Sequence, residues 1–168
     1  MNIRKATIID LEAINTIYNQ AVVLKFCTAH LEPVGYEERV AWFFKHAQDQ
    51  YPVYVIESEG QVSGWLSLSP YREKRQALSH VAEISYYVHN NFKGEGLGSH
   101  LMRFALERAP EYGFSTLIAI LLSRNPASIA LLNKFGFEEW GSMPGIARIG
   151  DENADHLYYG LKSPFIRH

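Results

Sequence analysis

The chain of 168 residues has a formal net charge of −2, with 47% hydrophobic and 20% charged residues. That length can bury a core of its own, the apolar share excludes a disordered chain, and the charge excludes general attraction to nucleic acid or an anionic membrane. A single cysteine, Cys27, rules out an internal disulfide, and no run reaches the ~18 to 20 apolar residues a bilayer span needs. The opening MNIRKATIID has no apolar stretch of signal-peptide length, so the expected location is the cytoplasm, without membrane or nucleic-acid partners.

In chain order, Ile3 to Ala6 reads as a short strand, and Asp10 as the cap of a helix with Leu11, Ile14, Ile17, Tyr18 and Ala21 on one face. The spacing of Val40, Phe43, Phe44 and Ala47 predicts a second helix from Tyr36 to Gln48. Two strands follow, Val53 to Glu57 and Val62 to Leu68, joined by a hairpin turn at Ser58-Glu59-Gly60-Gln61. After a long loop, Val81 to Val88 is a central strand, Leu101 to Ala109 lies on a helix and Thr116 to Leu122 is a buried strand. Ile129, Leu132 and Phe135 mark another helix, and a polar loop leads to a last strand at Leu157 to Leu161. No repeat, low-complexity tract or linker divides the chain, so residues 1–168 are read as one mixed α/β domain with a largely antiparallel first half.

The most informative stretch is YYVHNNFKGEGLGS, residues 86–99, where a strand breaks into a basic, glycine-spaced loop that opens into a helix. Glycines 94, 96 and 98 let backbone N–H groups approach an anion, and the helix adds its first-turn donors and the positive end of its dipole. A phosphate-wrapping NTPase loop requires Gly-Lys-Ser/Thr after four intervening residues, but here Lys93 precedes the glycines. A dinucleotide fingerprint requires a third glycine where Ser99 stands and an acid about twenty residues later, which STLIAILL does not supply.

What remains is basic-x-x-Gly-x-Gly, formed by Lys93, Gly96 and Gly98. It resembles the acyl-CoA loop of the GNAT superfamily of N-acetyltransferases, with lysine where that family prefers Arg or Gln. A second stretch, NPASIALLNKFGF at 125–137, is similar to the family's other cofactor contacts. There the resemblance implies that Asn125 bonds the pantetheine amide and that Ser128 lies beside the cofactor. Both residues also read as caps of the following helix. The resemblance to the phosphinothricin-acetyltransferase-like branch runs along most of the chain, through IRKATIIDLEAINTIYNQAV, TAHLEPVGYEERVAWF and GWLSLSPYREKRQALSHVAEISYYV. It implies a GNAT-like α+β fold, a mixed and largely antiparallel twisted sheet splayed at the acyl-CoA site. It also implies acetyl-CoA as cosubstrate against Tyr86, Tyr87, Val88, Lys93, Gly94, Glu95, Gly96, Leu97, Gly98, Ser99, Asn125 and Ser128.

Transfer needs a neutral amine to attack the thioester, and a carboxylate of raised pKa suits removal of its proton. Period-two alternation puts Val81, Glu83, Ser85 and Tyr87 on one face of the central strand and Ala82, Ile84, Tyr86 and Val88 on the other. The resemblance gives Glu83, in AEISYYV, the general-base role, and gives the Val88 N–H the carbonyl oxygen. An exposed strand residue or a structural ion pair is the other reading of Glu83. Where many relatives carry a tyrosine, or in this branch a histidine, to protonate the leaving thiolate, this chain has Leu132. By resemblance the acceptor is a small amino-acid-like amine facing Phe26, Glu32 and Arg72, with Arg72 available to a carboxylate and Arg75 near it. A solvated loop explains those arginines equally well.

The seven histidines, at 30, 46, 80, 89, 100, 156 and 168, form no i, i+4 pair with a neighbouring acid or cysteine, so no metal site is expected. Trp42, Phe43 and Phe44 read as helix packing or as the acceptor mouth, and Cys27 as an inert thiol. Two other functions stay open, a non-catalytic acyl-CoA sensor and an acetyltransferase of protein or peptide amines. Homodimerisation is a further implication of the resemblance.

Overall fold

The computed structural model describes residues 1–46 and 49–165. Seven strands form one sheet in the order β1-β2-β3-β4-β5-β7-β6. They are β1 (Asn2–Lys5), β2 (Val53–Ser58), β3 (Gln61–Pro70), β4 (Val81–Val88), β5 (Thr116–Leu122), β6 (Glu138–Ile149) and β7 (Glu152–Lys162). The helices are α1 (Leu11–Val23), α2 (Tyr36–Lys45), α3 (Leu97–Arg108) and α4 (Pro126–Lys134). Every strand pair is antiparallel except β4–β5. This is the mixed, mostly antiparallel sheet flanked by helices that the sequence led us to expect.

Alternation along the strands divides the interior in two. Ala82 and Ile84 of β4 join Leu66 and Leu68 of β3 under α3 and α4, where Leu97, Leu101, Met102 and Leu132 complete a core. On the opposite face Val53, Val55 and Trp65 pack against Leu11, Ile14, Ile17 and Tyr18 of α1 and Phe43 of α2. The apolar stripe of each helix thus covers one side of the sheet.

The parallel pair sets up the site. β4 and β5 pair only from Val81↔Thr116 to Glu83↔Ile118. Beyond Glu83, β4 stays with β3 as far as Val88↔Gly64, while β5 stays with β7 as far as Leu122↔His156. The two central strands therefore part from Ile84 onward and leave a gap in the middle of the sheet.

Several expectations change in the structure. Asp10 does not cap α1 through its side chain; it ends a 3-10 turn, Ile8–Asp10, and its carboxylate turns back to accept from the Thr7 N–H at 2.8 Å and from Arg4. The second helix is described to Lys45, and Ala47 and Gln48, like His168, lie outside the described residues. The polar loop before the last strand is in fact β6. It is an edge strand exposed along most of its length, broken in register around Gly141 and again between Met143 and Ala147, so its sequence carries neither alternation nor a buried run. Its pairing with β7 draws Glu152 to His156 into strand, ahead of the expected start at Leu157.

Candidate active site

The glycine loop descends from the end of β4 through a 3-10 turn at Asn90–Phe92 into α3. Gly94 and Gly96 have φ of +85° and +84°, a region that penalises a Cβ, and a Cβ at either would meet nothing within 4 Å. Their glycine identity therefore answers a backbone requirement, and the space above the loop is open. Gly96 is the N-cap of α3 and offers no side chain to its first turn, so the N–H groups of Leu97, Gly98 and Ser99 face outward as donors. Gly98 packs tightly, since a Cβ there would lie 3.2 Å from Leu131 Cδ2 of α4.

The second sequence stretch lies across a groove from this loop. Asn125 Oδ1 accepts from the Ser128 N–H at 3.2 Å and caps α4, with Pro126 in the first turn. The Ser128 hydroxyl is bonded to the Tyr86 hydroxyl at 2.6 Å, tying α4 to β4. Between them runs a cleft of about 600 Å³ lined by Tyr86, Tyr87, Val88, Lys93, Gly94, Gly96, Leu97, Gly98, Ser99, Asn125 and Ser128 among others. Eleven of the twelve residues expected against the cofactor line it; Glu95 does not, and it is exposed. Sequence reasoning missed Lys134, in the last turn of α4, which also lines the cleft and donates to Ser99 Oγ at 2.9 Å. Lys93 and Lys134 give the glycine loop two cations, while the inner cleft is lined by apolar side chains. An anionic head and a long, thin apolar-polar arm suit such a groove.

A second cavity, of about 400 Å³, opens on the other face of β4. Its floor consists of three cross-strand pairs, Trp65↔Tyr87, Ser67↔Ser85 and Ser69↔Glu83. The alternation expected along β4 holds there, with Glu83, Ser85 and Tyr87 facing this cavity and Ala82 and Ile84 facing the core. Cys27, Ser85, Tyr87, Ile120 and Leu121 line both spaces, so the groove and the cavity meet where β4 and β5 part.

Glu83 is half-buried on the cavity floor, and burial alone pushes its carboxyl pKa up. No hydrogen bond or ion pair holds its carboxylate among the described residues. An ionisable acid in that setting is poised to take a proton. At the far end of β4 the His89 N–H donates to Ser63 O of the β3 side at 2.8 Å. Successive strand amides point to opposite edges, so the Val88 N–H faces the gap left by β5.

Around the cavity stand residues that the sequence analysis did not place at the acceptor, beside Trp42, which it did. Tyr18 of α1 bonds Thr28 at 2.6 Å and the His30 ring, and Arg39 of α2 lies among Tyr18, Trp42 and Trp65. His46 links the Trp42 carbonyl (2.9 Å) to Ser69 Oγ (3.1 Å), and burial lowers its pKa. Within the aromatic triplet of α2, Trp42 lines the cavity, Phe43 is core and Phe44 is 68% exposed. The signal for Arg39 was its place on the stripe that carries Phe43 and Val40, where a cation is out of character.

Three residues expected at the acceptor stand elsewhere. Arg72 is exposed beyond the end of β3, Glu32 is exposed, and neither lines the cavity. Phe26 is buried against Leu122 and Ala154, with the Arg124 guanidinium 3.9 Å from its ring centroid. Leu132 is fully buried in the core, so that position offers no proton donor. Cys27 is half-buried and its thiol pKa is raised by burial, an inert setting. Among the described residues no group of His, Cys, Asp and Glu is placed to hold a metal, and no helix is long and apolar enough to cross a membrane.

A sheet parted at its centre, with a glycine-rich helix start on one side of the gap and a half-buried acid on the other, suits acyl transfer from a CoA thioester. The Acetyltransferase (GNAT) family model matches residues 15–137, and the chain belongs to that family of acetyl-CoA-dependent N-acetyltransferases. It is 35% identical over 148 residues to the L-methionine sulfoximine/L-methionine sulfone acetyltransferase of Pseudomonas aeruginosa, covering 88% of this chain and 86% of that one. The crystal structure of a ribosomal-protein-alanine N-acetyltransferase from Brucella melitensis superposes with a TM-score of 0.90 at 36% identity, over 96% of this chain and 99% of that one. A phosphinothricin acetyltransferase from Sinorhizobium meliloti in complex with acetyl-CoA superposes with a TM-score of 0.89 at 28% identity, over 96% and 87% of the two chains.

Proposed function

We propose that this enzyme acetylates the primary amine of a small amino-acid-like acceptor, of the methionine sulfone, methionine sulfoximine or phosphinothricin type, by direct attack with Glu83 as general base. The observation that carries the reading is the walled cavity of about 400 Å³ with Glu83 on its floor, which adjoins the cofactor groove and suits a small molecule.

Acetyl-CoA supplies an acetyl thioester, whose C–S bond breaks as the amine forms the new C–N bond. The uncapped first turn of α3, Lys93 and Lys134 hold its phosphates, and Asn125, Ser128 and the gap between β4 and β5 direct its arm toward Ser85 and Tyr87. The Val88 N–H donates to the carbonyl oxygen as negative charge develops there. Glu83 stands two residues from Ser85, about 7 Å along the strand, so the proton of the acceptor ammonium reaches it through water. Glu83 then returns that proton to solvent. With leucine at position 132, the sulfur departs as a thiolate and takes up, through water, the second proton that the nitrogen sheds as the amide forms, which the acidity of a thiol permits.

Release of free CoA thiol tests this, measured with methionine sulfone, methionine sulfoximine, phosphinothricin, ordinary amino acids, polyamines, and peptides offering a lysine or an N-terminal alanine. Turnover confined to the amino-acid-like amines, and lost in Glu83→Gln, is the expected result. Turnover of peptides alone would assign the acceptor to the protein class, and acetyl-CoA binding without turnover of any amine would make the protein a sensor.

A further inference from the structure

Arg39 is a buried cation with little to pair it. Its side chain is 4% exposed, and its guanidinium carbon lies 4.6 Å from the ring centroids of both Tyr18 and Trp42 and 5.8 Å from that of Trp65. Among the described residues one of its five N–H donors is used, Nε to Asn15 Oδ1 at 3.2 Å. Among the described residues no carboxylate lies within ion-pair distance of it. Glu38 shares the cavity wall but acts on it only through its field. A guanidinium stays charged in such a place, and without an anion its burial is unfavourable. Stacking on three rings recovers part of that cost but bonds none of the terminal N–H groups.

A second donor beside it has the same deficit. Trp65 Nε1 is buried and has no hydrogen-bond partner among the described residues, which is unusual for an indole in a folded protein. Both residues line the cavity that holds Glu83. Their location within it is specific, because Trp65 pairs with Tyr87, at the end of β4 where the cavity joins the cofactor groove. Glu83 pairs with Ser69, four residues along, or about 13 Å. The cavity thus has an acidic end and a donor-rich end, and the thioester arrives at the second. An α-carboxylate held there leaves the α-amine, two bonds away, beside the acetyl carbon.

We propose that Arg39, with the Trp65 indole N–H, is the anchor for the α-carboxylate of the acceptor. The inference rests on the amino-acid-acceptor reading above and assigns the residues that select for it. Arg39 is the guanidinium inside the cavity, whereas Arg72 lies outside it. A planar fork stacked on aromatic rings is pre-organised for bidentate carboxylate binding, which a lysine ammonium does not reproduce.

The experiment compares kcat/KM for L-methionine sulfone with that for its carboxamide and for its decarboxylated amine, in wild type, Arg39→Gln, Arg39→Lys and Trp65→Phe. The readout is the acid-to-amine selectivity ratio, which cancels general losses of activity, and calorimetric acetyl-CoA binding certifies that each variant is folded. Wild type is expected to favour the acid on the order of 100-fold, the loss typical when a buried charge forfeits its partner. Arg39→Gln brings the ratio close to unity through KM for the acid, Arg39→Lys restores only part of it, and Trp65→Phe lowers it about five- to tenfold. A variant that binds acetyl-CoA and keeps the wild-type ratio without Arg39 overturns the anchor while leaving the amino-acid reading in place. A wild type that prefers the decarboxylated amine, or accepts only peptide amines, overturns both.

Discussion

Two clusters of buried charge in this molecule are built on opposite plans. At the start of α1, Asp10 is 5% exposed and fully engaged, with Arg4 Nη1 and Nη2 at 2.8 and 2.9 Å and the Thr7 N–H at 2.8 Å, while Glu57 takes the same guanidinium at 2.7 Å. In the cavity, Glu83 and Arg39 carry opposite charges but stand at separate ends, and neither has an ionic partner among the described residues. The pKa directions follow. Hydrogen bonding to Arg4 leads the causes that hold Asp10 below the ordinary carboxylate range, whereas desolvation lifts Glu83 above it. A paired buried charge fixes an element in place. An unpaired one beside a cavity is complementary to something that is not part of the chain.

The largest expected effect separates the two acids by function. Glu83→Gln should lower kcat by about 10² to 10⁴-fold without weakening acetyl-CoA binding, as loss of a general base does. If Glu83 is the base it works ionised, so kcat/KM of the wild type should rise as pH climbs through the raised pKa of Glu83. The variant should lack that limb in a pH–rate profile. Asp10→Asn should leave the shape of the profile unchanged.

Removing a cation from each cluster is next in size. Arg4→Met leaves Asp10 buried beside an empty place and should cost about 3 kcal/mol in urea unfolding at neutral pH. Arg39→Met removes a charge that no acid neutralises, and should change stability by less than ~1 kcal/mol while abolishing selectivity for the acid acceptor. Equal losses in the two variants would mean that Arg39 is a structural cation.

The helix starts repeat the contrast in neutral groups. α4 caps its first turn through the Asn125 side chain, whereas α3 begins on Gly96 with no side-chain cap. Asn125→Ala should therefore destabilise the fold by ~1 kcal/mol, seen as a lower Tm, and also weaken acetyl-CoA binding.

The smallest effect is a crossing of signs with pH. The depressed pKa of Asp10 means its contribution is present above the ordinary aspartate value of 3.8 and is lost as pH falls through the folded value. Glu83 has a raised pKa, so it fits the fold best below its unfolded value of 4.5 and becomes a penalty as pH rises through the folded value. Asp10→Asn should then be destabilised most at neutral pH and least in strong acid. Glu83→Gln should match wild type near pH 4 and melt a few degrees higher near pH 8.

Much of this was written locally along the chain. Val81–Val88 and Thr116–Leu122 emerged with the bounds expected from their runs, because a buried strand announces itself by length and apolar content. The glycine spacing after Tyr86 was legible because the backbone at positions 94 and 96 has a positive φ that strains any residue with a Cβ. The face of Glu83 followed from a period of two. These features depend on a residue and its near neighbours, and a sequence displays them directly.

What tertiary structure alone decided is how distant segments share space. Arg39, Trp65 and Glu83 come from α2, β3 and β4, and nothing in their local sequence says that they face one cavity. The same holds for Arg72 and Phe26, for which the resemblance implied an acceptor contact but which the fold assigns to solvent and to the packing against Leu122. β6 was illegible for a related reason: an exposed edge strand is held by its partner's backbone, and backbone hydrogen bonds leave little mark on side-chain choice. The sequence by itself determined the glycine positions of the loop and the face of Glu83, since each is a local demand on residue type, and its motifs carried the resemblance to the family. The parting of β4 from β5, and with it the meeting of groove and cavity, arises from which strands pair and where pairing stops, a property of the assembled sheet.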